Sequence, residues 1–444
     1  MANKYWVNGD ADGLWNKSNN WGSASGTVDN DGVPGAADTV IFDDQVVDNC
    51  TADANISVAA FVYGAGDYTG TFDADTFDVA VAGNFDTSRA ETTVRFGTGA
   101  WSVGGNLDLD DATTYGEGTD VTMTGASKLL FFGFLQDAGF KLIVAVGASI
   151  TASDRGSERV AGLDITGSLD IDGIVPCAGN VDLQAGGSLT GTWLRLTSGY
   201  TVTTFGAAAT LNINELEFYR HSASTVNLAQ GKYDCDLTLG TDNTQAVVFR
   251  FAAGTTEITG DLSVEERNTD ATATVDTGTN NASLDLGGDV KYVNGLAWSK
   301  GTGGIDLNGT GVQSINFNGE SVEDITVSNT GGIVTFASSF TCDSFTQDAN
   351  ADVDGAVTIT ITGALDINGT AGNECIWNGP DVDCGSGDAD YCTVTDSDAS
   401  AGAEIDATNN CTEVGVNNVN WDFGGAPPAV ATFGNLLLLG VGGG

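Results

Sequence analysis

The sequence predicts an all-β chain wound into a right-handed parallel β-solenoid, a β-helix, with aromatic-rich capping segments at both ends. Three observations predict it. A phrase of the form apolar-x-apolar-x-Gly-polar-apolar returns along the chain. Its apolar residues alternate with polar ones at the period of a strand. Helix formers other than Ala are scarce, whereas Val, Ile, Thr and Phe come in short runs divided by Gly, Asn and Asp.

The phrase reads VAVAGNFD ending at Asp86, WSVGGNLDLD at Asp110, LDITGSLDID at Asp172, EITGDLSV at Val264, LDLGGDV at Val290 and ITITGALDIN at Asn368. Looser copies run from Val181 to Thr190 and from Ile305 to Gly311. The shared glycines are Gly83, Gly105, Gly167, Gly187, Gly260, Gly288, Gly309 and Gly363, with close spacings of 22, 20, 28 and 21 and wider ones of 62, 73 and 54. The wider gaps approximate three units each. A unit of this size made of short strands is one coil of a solenoid, which buries nothing alone and must stack. In LDITGSLDID the alternation points Leu163, Ile165, Leu169 and Ile171 inward and Asp164, Thr166, Asp170 and Asp172 outward, with Gly167 at the corner. A string of Ig-like sandwiches would need units of about 100 residues, and no such period is present. Right-handedness follows the general preference of parallel crossovers.

The ends depart from the repeat. Residues 1–45 form an N-terminal aromatic cap and attachment segment that holds Trp6, Trp15 and Trp21. Residues 46–370 are the solenoid body, and 371–424, with Cys375, Trp377, Cys384, Cys392, Cys411 and Trp421, are the closing coil and cap. Bulky aromatics suit an open coil end that would otherwise stack on its neighbours. Residues 425–444 form a Pro-hinged apolar docking tail, in which Phe433, Leu436, Leu437, Leu438 and Leu439 carry no flanking charge. Such a patch calls for a cover, either by three tails at a trimer axis or by a groove on a partner.

The chain has 444 residues, of which 60 are Asp or Glu and 15 Lys or Arg, for a formal charge of −45, while 41% are hydrophobic. The hydrophobic share argues against disorder. The charge repels phosphate backbones and anionic headgroups, so neither nucleic acid nor a membrane surface is an expected partner. A surface this acidic keeps an abundant assembly soluble in a salty habitat or holds it off anionic cell surfaces. No segment reaches the roughly 18 apolar residues that suggest a membrane span, and MANKYWVNGDADG has no apolar signal core, so entry into a secretory pathway is not expected. The eight cysteines include no CxxC pair, and buried reduced thiols are the expectation.

The segment KYWVNGDADGLWNKSNNWGSASGTVDNDGVPGAADTVIFD resembles an opening common among tailed-phage virion proteins, YWVGG-x-G-x-W, then NW, then VP-x-x-x-D-x-V-x-FD. Tyr5, Trp6, Val7, Trp15, Asn20, Trp21, Val33, Pro34, Asp38, Val40, Phe42 and Asp43 carry it. Asn8 stands where that pattern has Gly, and the insert from Asp10 to Gly13 is more acidic. The C-terminal YCTVTDSDASAGAEIDATNNCTEVGVNNVNWDF looks like the closing coil of the same group. The resemblance implies a structural protein on the exterior of a phage particle, made in the host cytoplasm. It implies a capsid decoration or head fibre, with tail fibre or tailspike close behind. The partners would be further copies of the chain, as a trimer, and virion proteins such as the major capsid protein. A polysaccharide-cleaving spike and a bacterial surface adhesin or filament subunit are the alternatives.

Chemistry is sparse in the letters. Paired carboxylates could cleave sugars on such a scaffold, but so many Asp residues single out no pair, and the expectation is no catalytic residue. His221, the only histidine, has no Ser or Cys motif beside it. No cofactor is required. Asp-x-Asp-Gly recurs at Asp10/Asp12, Asp29/Asp31, Asp170/Asp172 and Asp352/Asp354, and hard oxygen ligands on Gly turns suit Ca²⁺. A full EF-hand loop would place Glu at its twelfth position, where counting from Asp10 reaches Trp21 and from Asp29 reaches Val40. Plain turn chemistry is the rival reading of these acids.

Overall fold

The computed structural model describes residues 2–424 apart from 65, 67, 89–91, 111, 117, 132–133, 136–138, 154–159, 198–201, 207, 221–223, 242–245, 267–271 and 293–296. His221 and the whole tail, 425–444, with Phe433 and Leu436 to Leu439, therefore lie outside the described residues. The chain is all-β and stacks into a parallel β-solenoid of about 15 turns. At about 4.8 Å between neighbouring strands, that is a rod on the order of 70 Å long. Its only helical element among the described residues is a single 3₁₀ turn, Ser18–Asn20.

Each early coil has three short strands on three faces. Thr39–Phe42, Cys50–Thr51 and Ile56–Val58 make one coil, and Ala60–Tyr63, Thr71–Asp73 and Val79–Val81 the next. The ladders between coils are parallel and in register, so like positions stack. On one face Ile56, Val79, Trp101, Val121, Leu142, Leu163 and Val181 form a continuous inner column. All seven are buried. In LDITGSLDID, Leu163, Ile165, Leu169 and Ile171 are at most 1% exposed, as expected; of the four residues expected to face outward, Asp170 and Asp172 are exposed and Asp164 and Thr166 are half-buried. The long gap from Gly105 to Gly167 contains two further coils, carried by Asp120–Met123 with Lys128–Phe131 and by Lys141–Val144 with Ser149–Ser153.

The repeat glycines have a reason the alternation alone does not give. A Cβ on Gly105 would lie 2.3 Å from the Gly83 carbonyl carbon, and one on Gly187 would lie 2.2 Å from the Ile165 carbonyl oxygen. Each glycine sits where a corner rests on the backbone of the preceding coil, a close approach that excludes any side chain.

The polar residue after the glycine also has a task. Asn84 Oδ1 accepts from the Asn106 amide at 3.0 Å, and Asn106 Oδ1 from the Leu129 amide at 3.1 Å. Asp261 and Asp289 repeat this with the amides of Asp289 and Ser314 at 2.9 and 2.8 Å, and Asp236, which follows Cys235, with the amide of Asp261 at 2.9 Å. These side chains thus supply partners to backbone amides at the corners and at the strand starts of the next coil.

Candidate functional site

The N-terminal end is a closed plug. Asn3–Trp6 lies parallel to Thr39–Phe42, and Trp21–Gly22 runs antiparallel along its other edge. Trp6, Trp15, Trp21 and Phe42 are at most 2% exposed. Trp21 packs edge-on to Trp15 and Trp6 with centroids 4.6 and 5.2 Å apart, and Phe42, Phe61 and Phe85 stack upward at 5.3 and 4.9 Å. Both indole donors of the first pair are satisfied: Trp6 Nε1 donates to the Asp48 carbonyl at 3.1 Å and Trp21 Nε1 to the Trp15 carbonyl at 2.7 Å. Pro34 is buried, Tyr5 is half-buried, and Asp38 accepts from the amides of Gly35 and Ala2. Those bonds, first that from Gly35, hold the Asp38 carboxyl below its usual range. Asn8 takes a left-handed φ of 45°, a conformation that Gly and Asn adopt most readily.

The acidic turns beside this plug are bound into it. Asn20, fully buried, is their hub: it donates to Asp12 Oδ1 at 2.7 Å and to the Leu14 carbonyl at 2.8 Å, and accepts from the Asp10 amide at 2.8 Å. Asp10 Oδ1 accepts from Asn19 at 2.9 Å. Asp12 is held below its usual carboxyl range by the Asn20 bond, and Asp29 by its bonds from Ser23. Asp31 pairs with Lys4 at 2.8 Å. Among the described residues no group of three or more acidic, histidine or cysteine side chains converges on one point. Each of Asp10, Asp12, Asp29 and Asp31, the candidate Ca²⁺ ligands, accepts a hydrogen bond or an ion pair within the cap.

A second acidic feature emerges from register alone. Glu257, Asp285 and Asp306 stand opposite one another on successive coils, followed by Thr326 and Thr346 and then by Asp366, Asp388, Asp406 and Asp422. Burial, then Asp306 and Glu257, raise Asp285 above the usual carboxyl range. Burial, then Asp390, Asp406 and Asp366, do the same to Asp388. An acid raised in the fold binds its proton there more tightly than when unfolded, so it costs stability when ionised, and the cost is relieved as pH falls through the raised value. Asp388→Asn is therefore expected to stabilise the chain at neutral pH and low salt by about 0.5 kcal/mol, the range for like charges directly opposed. Thermal melts should show the gain shrinking in concentrated salt and on acidification; a gain that ignores both would remove charge as its cause.

The body has a shallow groove of about 270 Å³ lined by Glu257, Ile258, Thr259, Gly287, Asn308, Gly309 and Thr310. Glu257 is the only acid among these lining residues, and Lys232 pairs with it at 2.8 Å. A glycosidase pair needs two carboxylates across the bound sugar. The fully buried Glu323 is engaged elsewhere: it accepts from Trp298 Nε1 at 2.8 Å, from the Gly301 amide at 2.8 Å and from Thr277 Oγ1. Gln313 and Asn329, also fully buried, are hydrogen-bonded to each other at 2.8 Å. These groups brace the interior, and the sequence offered no pattern by which to find them.

The C-terminal end is built differently. Trp377 packs between Phe345 and Trp421, with centroids at 5.4 and 6.3 Å, and donates to the Pro380 carbonyl at 3.1 Å. The last coil, with Thr412–Val414 and Trp421–Asp422, pairs only with the coil before it among the described residues. Its outer edge has no strand across it there, and Val414, Val416 and Val419 are 44, 90 and 48% exposed. Among the described residues no helix is long and apolar enough to cross a membrane. Comparisons of the chain with protein-family models, with curated proteins and with solved structures found no match.

Proposed function

We propose that the chain is a non-enzymatic structural protein of a tailed-phage virion, a capsid-decoration or head-fibre rod displayed on the particle exterior. In this reading it assembles with further copies of itself, as a trimer, and with the major capsid protein, through its C-terminal end. The observation that carries the reading is the difference between the two ends. At the N-terminal end the tryptophans are buried and Asn3–Trp6, with the short antiparallel strand Trp21–Gly22 along its outer edge, covers the first coil. At the C-terminal end, among the described residues, the last coil presents exposed valines and a strand edge with no strand across it, and in the sequence Leu436 to Leu439 follow within 20 residues of it. An uncovered strand edge beside apolar surface favours a docked partner. The −45 charge supports an external position, since it opposes adhesion to anionic surfaces and to nucleic acid.

Deleting Phe433 to Gly444 tests the reading. Light scattering of the full chain is expected to give the mass of a trimer and of the truncated chain the mass of one copy. Truncation should also abolish binding to particles stripped of this protein. Unchanged mass together with unchanged particle binding would eliminate the tail as an assembly element.

A further inference from the structure

The closing coils bring three cysteines into one column. Cys375 stands opposite Cys392 where Cys375–Asn378 pairs with Cys392–Thr395. The next ladder sets Thr393 opposite Thr412, so the residues just before them, Cys392 and Cys411, face each other one coil further on. Neighbouring strands lie about 4.8 Å apart, inside the Cα separation of roughly 4.4–6.8 Å that a disulfide spans. The side chains already meet: Cys392 Sγ is 3.1 Å from Cys411 Sγ, and the Cys392 amide donates to Cys411 Sγ at 3.4 Å. The Cys375 thiol donates to the Asp348 carbonyl at 3.2 Å and the Cys411 thiol to the Ala389 carbonyl at 3.2 Å, so it is the sulfur–sulfur contact that singles out Cys392 and Cys411. We propose that Cys392 and Cys411 form a reversible thiol–disulfide site, oxidised by a peroxide, that staples the last coil of the solenoid to the one before it.

The pair is asymmetric in the way such a reaction requires. All eight cysteines are free thiols, and Cys411 is the one that is not buried. Bonds from the Cys392 thiol and amide hold the Cys411 thiol below its usual value, against burial and the Asp390 and Asp388 carboxylates. The contact with Cys411, then burial, push Cys392 up. Cys411 is thus the nucleophile. Its thiolate attacks one oxygen of hydrogen peroxide, the O–O bond breaks, and Cys411 becomes a sulfenic acid while the departing oxygen leaves as water. The Cys392 sulfur then attacks the sulfenic sulfur, the S–O bond breaks, and a second water leaves. Two thiols lose two electrons, and one peroxide becomes two waters. A dithiol reductant reverses the change by thiol–disulfide exchange.

The staple does not depend on the assembly reading, and its test uses the full chain. After brief exposure to hydrogen peroxide, alkylation under denaturing conditions is expected to label six of the eight cysteines, and all eight again after reduction. Peptide mapping should show Cys392 linked to Cys411. The Cys375→Ser chain should form the same link, and Cys411→Ser should leave every remaining thiol alkylatable. Eight labelled thiols after peroxide, a link from Cys392 to Cys375, a link between chains, or a stable oxygen adduct on Cys411 beside a free Cys392 would each overturn the proposal.

Discussion

Trp21→Ala is expected to unfold the N-terminal end of the solenoid while the distant coils stay folded. The side chain is 0% exposed and touches Trp6, Trp15 and Phe42 with ring centroids at 5.2, 4.6 and 6.2 Å. Truncating a buried Trp costs about 3–5 kcal/mol, and the Trp15 carbonyl loses its 2.7 Å donor as well. Phe61 rests on Phe42 and Trp15, and Phe85 on Phe61, so the loss passes from ring to ring. It should fade with distance, because a coil contacts only its neighbours. Hydrogen exchange read by mass spectrometry should show protection lost over Asn3–Tyr63 and kept from Lys141–Val144 onward. Loss spread evenly along the chain would mean that the rod unfolds as one cooperative unit and that the plug is not a local cap.

The second large effect belongs to Gly105. An alanine there would place its Cβ 2.3 Å from the Gly83 carbonyl carbon and 2.4 Å from Asn84 Oδ1. The first is backbone and cannot swing aside. The second is the acceptor of the Asn106 amide, so relief of the clash breaks a corner hydrogen bond. Overpacking of about 3 kcal/mol plus roughly 1 kcal/mol for the lost bond is expected. Gly311→Ala is the matched control, since nothing lies within 4 Å of its added Cβ and its φ is not positive; it should leave stability within about 1 kcal/mol of the parent. Denaturant melts of the two variants distinguish the accounts. Equal stabilities would show that the glycine recurs for turn formation and not for the approach of one coil to the next.

Much of the plug was legible in the letters. Trp6, Trp15, Trp21 and Phe42 stand out as bulky aromatics at an end that breaks the repeat, and they are the buried lid of the first coil. Asn20 was visible as part of an Asn-Trp pair, but its role as hub of the acidic turn needed the path of the chain between Asp10 and Leu14. The letters do not separate turn acceptors from cation ligands at the Asp-x-Asp-Gly turns, because both uses ask for the same oxygens on the same bend. Cys392 and Cys411 looked like two members of a loose group, since 19 residues separate them and no motif joins them.

The class of fold and the recurrence of the coil were legible in the letters, as were the inward residues of LDITGSLDID. These rest on a period of two and on a glycine that the repeated phrase shares, which are local properties that each repeat states again. Which side chains stack on one another emerged only from the folded coils: the carboxylates of Asp366, Asp388, Asp406 and Asp422 in one column, the meeting of two thiols and, among the described residues, a covered first coil against an uncovered last one. Register accounts for the difference. Corners of unequal length separate the strands, so the number of residues between two side chains does not say whether they share a rung; the packing of the whole coil does.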